Sequence, residues 1–189
     1  MMAATFNGHR ELVTRLDDAV RASSVEGTTA AVQSTLEQMI GGGQLQLPDA
    51  LRQTAMDSYA RRLLYRSEEY GYTVIAMVWG PGQGTALHDH DGTWCVEGVL
   101  EGEILVTPYE LLERKDDRWH FKPFDTIHSH VGAAGSLIPP SEYHTIRNAS
   151  SEVPSITIHV YGRELRQCTV FEGGQSGWYQ EQVRNLWYN

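Results

Sequence analysis

Apolar residues recur at three- and four-residue spacing in the first third of the chain and at two-residue spacing beyond it. Leu12, Val13, Leu16, Ala19 and Val20 form one stripe of the kind an amphipathic helix buries. Val32, Leu36, Met39 and Ile40 form a second. Gly41-Gly42-Gly43 ends it, because glycine accepts the backbone of a helix stop at little cost. A third helix is expected from Pro48-Asp49 through Leu51, Ala55, Met56, Tyr59 and Leu63.

From about residue 71 the pattern becomes that of strands. Residues 72–79 are mostly β-branched or aromatic, and Gly80-Pro81-Gly82-Gln83-Gly84 then turns the chain. Further strands are expected at 93–100, 103–109, 118–122, 136–138, 144–148, 155–161 and 167–171. Many short strands between Gly, Pro, Asn and Asp clusters favour a sandwich or barrel over a parallel sheet. The expected fold class is α+β, mainly β. A helical N-terminal segment, 1–66, precedes a small β-barrel, 67–189, and both form a single domain. A chain of 189 residues is long enough to bury such a core without staples.

Charge narrows the range of partners. A net charge of −9 argues against a nucleic-acid or anionic-membrane surface, either of which needs a basic patch. Two cysteines, Cys95 and Cys168, make no disulfide framework, so a reducing cytoplasmic setting is expected. Residues 1–8 carry no signal-peptide pattern, and no apolar run has the length of a membrane span. The expectation is a monomer with small-molecule partners.

The chemistry concentrates around His88-Asp89-His90. On a strand, residues i and i+2 share a face, so these two imidazoles can aim at one point. Neutral imidazole binds Fe, Zn, Ni or Cu, and two histidines rarely complete a site. His144 is the candidate third ligand. A second such pair, His128-Ser129-His130, reads as surface or loop histidine, and His9 and His120 have no partner pattern.

These residues resemble the two motifs of the cupin superfamily. Gly82, His88, His90 and Gly102 match the first, with Cys95 in the slot of its glutamate. Pro139, His144 and Asn148 match the second, with Ser141 in place of a glycine. A cysteine in that slot resembles the cysteine dioxygenases. So do Tyr59-Ala60-Arg61, which in that family ends a helix, Trp79-Gly80, Thr157-Ile158-His159-Val160-Tyr161 and Cys168. The resemblance spans roughly residues 55–172. Thr157 departs from the usual serine, and β-branching restricts its rotamer.

The resemblance implies a mononuclear Fe(II) cofactor on His88, His90 and His144. It implies addition of both atoms of O2 to the sulfur of L-cysteine, giving cysteine sulfinic acid. Arg61 and Tyr59 would take the substrate carboxylate, since a guanidinium offers it a planar fork. Tyr161 would face the open side of the metal, with His159 and Thr157 behind it, and Cys95 would be joined to Tyr161 by a thioether. The related 3-mercaptopropionate dioxygenases usually carry glutamine at the Arg61 position and glycine at the Cys95 position. Other carboxylate thiols, mercaptosuccinate among them, and a metal-binding cupin sensor without turnover are the alternatives. Arg163 and Arg166 read as solvated residues, although either could reach a second carboxylate, which would suit mercaptosuccinate. Trp79, Trp178, Trp187 and Tyr188 read as packing residues, and Cys168 as a small buried hydrophobe.

Overall fold

The computed structural model describes residues 5–189. Two helices come first, α1 (His9–Ala19) and α2 (Val25–Gly41). Ser24 caps α2 by accepting the Gly27 amide at 3.0 Å. Its other end closes on Gly43, at φ 64°, where Gly43 N donates to Ile40 O and Gln44 N to Met39 O. These are the two bonds of a Schellman stop, and they explain the glycine run. Leu12, Leu16, Leu36, Met39 and Ile40 are buried, as the helical stripes require.

The third helix does not form. A 3-10 turn at Asp49–Leu51 is followed by a strand, β1 (Ala60–Arg66), so the helical segment stops short of residue 66. The helical reading rested partly on Met56, which is 98% exposed. The edge of the neighbouring strand, β2 (Thr73–Trp79), takes β1 antiparallel. A bulge between Leu63 and Tyr65 shifts the phase of β1, so no two-residue period shows in its sequence.

The remaining strands are β3 (Leu87–His88), β4 (Cys95–Glu101), β5 (Glu103–Lys115), β6 (Arg118–Pro123) and β7 (Ile127–His130). They continue with β8 (Ala134–Leu137), β9 (His144–Asn148), β10 (Ser155–Tyr161), β11 (Gln167–Gln175) and β12 (Trp178–Asn185). The mainly β expectation holds, with two sheets and not one closed barrel. One sheet runs β1-β2-β10-β4-β8 and the other β6-β12-β11-β3-β9-β5-β7, with β6 also on β5. The 144–148 and 155–161 strands fall at their expected bounds. β3, β7 and β12 were not expected, being very short, histidine-bearing and largely polar in turn.

The first sheet is buried on both faces, and its pleat sorts the side chains. Val74, Ala76, Val78, Val96, Leu100, Ile156, Ile158 and Val160 pack against the helices. Ile75, Met77, Trp79, Cys95, Val99 and Tyr161 face the other way, onto Ile104, Val106 and Ile146 of the second sheet. At Gly98 a Cβ would lie 3.0 Å from Ile40 Cδ1, so glycine lets α2 approach β4 closely. Gly102 turns β4 into β5 at φ 70°, where a Cβ would meet Ser155 Oγ at 2.4 Å.

Asn148 ends β9 and is fully buried. Its amide donates to Trp79 O, Gly80 O and Val153 O, and its carbonyl accepts from Ser150 N and Ser155 Oγ. It ties three segments together at one corner of the sheets. No helix among the described residues is long and apolar enough to cross a membrane.

Leu36 is fully buried between α2 and the first sheet. Leu36→Ala is expected to destabilise the protein by about 2–5 kcal/mol, the range for a buried leucine truncated to a cavity. A lower denaturation midpoint at unchanged slope in urea checks this.

Candidate metal centre

Three imidazoles meet between the sheets. His88 on β3 and His144 on β9 are cross-strand partners, and His90 follows β3 directly. Their ring centroids lie 4.5 Å (His88–His144), 5.1 Å (His90–His144) and 5.3 Å (His88–His90) apart. Ligand nitrogens of all three lie within 4.8 Å of one another.

The donor set fits a divalent transition metal. His88 Nδ1 lies 3.1 Å from Ala86 O and His144 Nδ1 2.9 Å from Glu142 O. A carbonyl can only accept, so both Nδ1 atoms carry the proton and both Nε2 lone pairs stay free. The buried Nδ1 of His90 has no hydrogen-bond partner, so no protein acceptor fixes that tautomer. Burial pushes all three below the ordinary histidine range, furthest for His90 and His144, where the neighbouring imidazoles add to it. Neutral imidazoles are what a metal ion binds.

Cys95, Glu97, Thr157, His159 and Tyr161 come from the first sheet. Trp79 Nε1 donates to Thr157 Oγ1 at 2.9 Å, and Thr157 Oγ1 lies 2.7 Å from His159 Nε2. Indole can only donate, so Thr157 accepts from Trp79 and keeps a proton and a lone pair with which to meet His159 Nε2, whether the imidazole proton sits there or on Nδ1. That Nδ1 lies 3.4 Å from the Tyr161 hydroxyl and 3.8 Å from Cys95 Sγ. The β-branched Thr157 therefore reaches His159 as the usual serine would. Burial, then Arg61, lower His159 to about 3, and burial holds Tyr161 and Cys95 well above their usual values. The Tyr161 ring sits 5.7 Å from that of His90, and Cys95 lies directly opposite Tyr161 in the β4–β10 ladder. Opposed positions bring Cβ atoms to about 4.5–5.5 Å.

Glu97 was missed in the sequence. It lies two residues beyond Cys95 on the same strand, so the two-residue period that turns Cys95 inward turns Glu97 inward too. Its Oε2 is buried without a hydrogen bond, 3.4 Å from His159 Nδ1 and 3.9 Å from His144 Nε2. Both imidazoles are neutral, so neither contact is an ion pair, and burial raises the carboxyl to about 8.

Arg61 leaves the expected helix end and lies on β1, 3% exposed. Its guanidinium donates to Leu165 O at 3.3 Å and Trp187 O at 3.5 Å, its Nε has no partner, and it lies 5.2 Å from the Tyr188 ring centroid. No carboxylate among the described residues pairs with it. Tyr59 packs on Trp79 with centroids 4.6 Å apart and the rings tilted by 36°. Trp187 is 72% exposed and contributes its carbonyl, not the packing expected of its ring. Arg163 pairs with Asp91 and Arg166 with Glu164, both near the surface. Cys168 is a buried thiol, raised to about 11 by burial.

The family model for cysteine dioxygenase type I matches residues 46–174. Cysteine dioxygenase type 1 of Rattus norvegicus is 22% identical over 162 residues, covering 77% of this chain and 79% of the rat protein. The Homo sapiens protein is 20% identical over the same coverage. Among solved structures, an uncharacterised conserved protein with a double-stranded β-helix domain from Klebsiella pneumoniae superposes with a TM-score of 0.46. It is 18% identical and covers 60% of this chain and 79% of that one.

In metal-free protein, Glu97 has a sharp pH signature. Its folded value, about 8, lies above the ordinary 4.5, so between these limits only the folded state keeps the proton. Stability is therefore lost as pH rises through that window. Glu97→Gln carries no such penalty, and its melting temperature is expected to gain on the wild type by several degrees between pH 5 and 8. The conversion is about 2–4 °C per kcal/mol for this size. A difference that stays constant with pH contradicts the assignment.

Proposed function

This chain belongs to the cysteine dioxygenase type I family, and from that premise we propose that it is an iron(II)-dependent thiol dioxygenase acting on L-cysteine. The product is cysteine sulfinic acid, with both atoms of dioxygen added to sulfur. The observation that carries the reading is a neutral three-histidine cluster together with a buried arginine that has no carboxylate partner and whose charge reaches His159 and Tyr161.

His88, His90 and His144 would hold the iron, which when bound supplies the redox chemistry that joins a thiol to dioxygen. Arg61 binds the substrate carboxylate through donors now spent on long bonds to backbone carbonyls. A buried cation costs free energy unless an anion meets it, so a carboxylate ligand is favoured there. Tyr59, two residues from Arg61, would add a hydroxyl to the same carboxylate. Tyr161 would hold a proton at its hydroxyl for the reacting thiol, with His159 and Thr157 positioning that ring. Cys95 joined to Tyr161 would pin the phenol in one rotamer. Any small carboxylate thiol satisfies Arg61 in the same way, so 3-mercaptopropionate and mercaptosuccinate form the second reading.

Iron(II)-loaded protein mixed with cysteine and then oxygen is expected to yield sulfinate, read by mass spectrometry. Oxygen uptake no faster than free iron gives overturns the proposal. Arg61→Gln should lower kcat/KM for cysteine roughly 100-fold, the scale of a lost charged hydrogen bond, and leave cysteamine, which has no carboxylate, nearly unchanged. The intact mass should fall by two hydrogens where Cys95 is joined to Tyr161, and Cys95→Ser should abolish that loss.

A further inference from the structure

His128 and His130 lie far from the roles described so far, on the short edge strand β7 of the second sheet. The pleat of β7 divides its residues. Ile127 and Ser129 turn inward and line a cavity of about 200 Å³ that Glu97 also borders. His128 and His130 turn outward, with ring centroids 4.6 Å apart. Glu103 opens β5 as the direct cross-strand partner of His130, one pleat from the partner of His128. One carboxylate oxygen, Oε2, lies 2.8 Å from His128 Nε2, and the other, Oε1, lies 3.4 Å from His130 Nδ1.

We propose that Glu103, His128 and His130 form a second metal site, on the outer face, that takes zinc(II) or a similar late divalent transition metal. Three ligand atoms lie within 4.8 Å of one another, near enough for small side-chain rotations to bring them to the roughly 3.4 Å separation of donors around one tetrahedral zinc, and the β5–β7 ladder holds all three Cβ atoms in register before any ion arrives. Two imidazoles with one carboxylate are a donor set for zinc, with water in the fourth position, whereas calcium and magnesium require oxygen donors throughout. The three side chains are 48%, 63% and 50% exposed, so an ion and its water can reach them. Ion pairing alone explains the arrangement poorly. An exposed histidine–glutamate pair contributes little to stability, whereas one shared ion would draw on both imidazoles and the carboxylate at once. The site shares no residue with the His88–His90–His144 centre and stands independently of the proposed dioxygenase activity.

The test is equilibrium dialysis of the metal-free full chain against zinc(II) buffered in the micromolar range, with bound metal measured by elemental analysis. Wild type is expected to hold one equivalent more than the His128→Ala/His130→Ala variant. A His88→Ala/His144→Ala variant should retain the outer equivalent, which separates this result from any failure of the buried centre. Glu103→Gln keeps both imidazoles and should weaken the outer site at least tenfold. Cobalt(II) in place of zinc should give visible absorption bands at the outer site that the His128→Ala/His130→Ala variant lacks. Equal stoichiometry in wild type and that variant, or an affinity indifferent to Glu103→Gln, overturns the proposal.

Discussion

Strand β10 is buried on both faces, and its pleat is the constraint on which the candidate centre rests. Ile156, Ile158 and Val160 are gripped by the helices, and this leaves Ser155, Thr157, His159 and Tyr161 facing the second sheet. A slip of one residue would turn the imidazole and phenol into the apolar helix contact and bring branched aliphatics to the metal. The helices therefore do more than cover a sheet. By burying one set of β10 side chains they fix where the other set points. β4 obeys the same rule, with Val96 and Leu100 on the helix side and Cys95, Glu97 and Val99 on the inner side.

Between the sheets the polar groups divide into satisfied and unsatisfied ones. Trp79, Thr157 and His159 form a chain in which each donor meets an acceptor, and Asn148 uses both ends of its amide. Such groups are rigid because any movement would leave a buried polar atom unpaired. His90 Nδ1, Glu97 Oε2 and Arg61 Nε have no partner. Buried polar atoms without partners are costly and often mark a ligand site, although His9, Arg62, Trp119 and Glu142 carry others outside the residues of the candidate centre. The neutral state of the imidazoles follows from the same burial. Water that would stabilise their charge is excluded, so they remain free bases.

Both histidine pairs use one geometric device, two imidazoles two residues apart on a strand. Their surroundings separate them. His88 and His90 lie between the sheets with His144, His90 and His144 buried and His88 partly so. His128 and His130 look outward from an edge strand, against a glutamate on the neighbouring strand.

Where local chemistry sets the conformation, the chain was legible without coordinates. The helical stripes of α1 and α2, the glycine stop at Gly43 and the strands 144–148 and 155–161 follow from side-chain period and turn residues alone. So does the pairing of His88 with His90, because i and i+2 share a face on any strand. Other features depend on what arrives from elsewhere in the chain. β1 became a strand because the edge of β2 needed a partner, and its bulge hid the period. The inward turn of Glu97 has a local cause, but its raised value and its closeness to His144 and His159 come from three strands packing together. Likewise Arg61 is buried by carbonyls of residues more than a hundred positions away. Period and turn chemistry act over a few residues and can be read in order. Burial and the absence of a counter-ion are properties of assembled surfaces, and only the tertiary structure decides them.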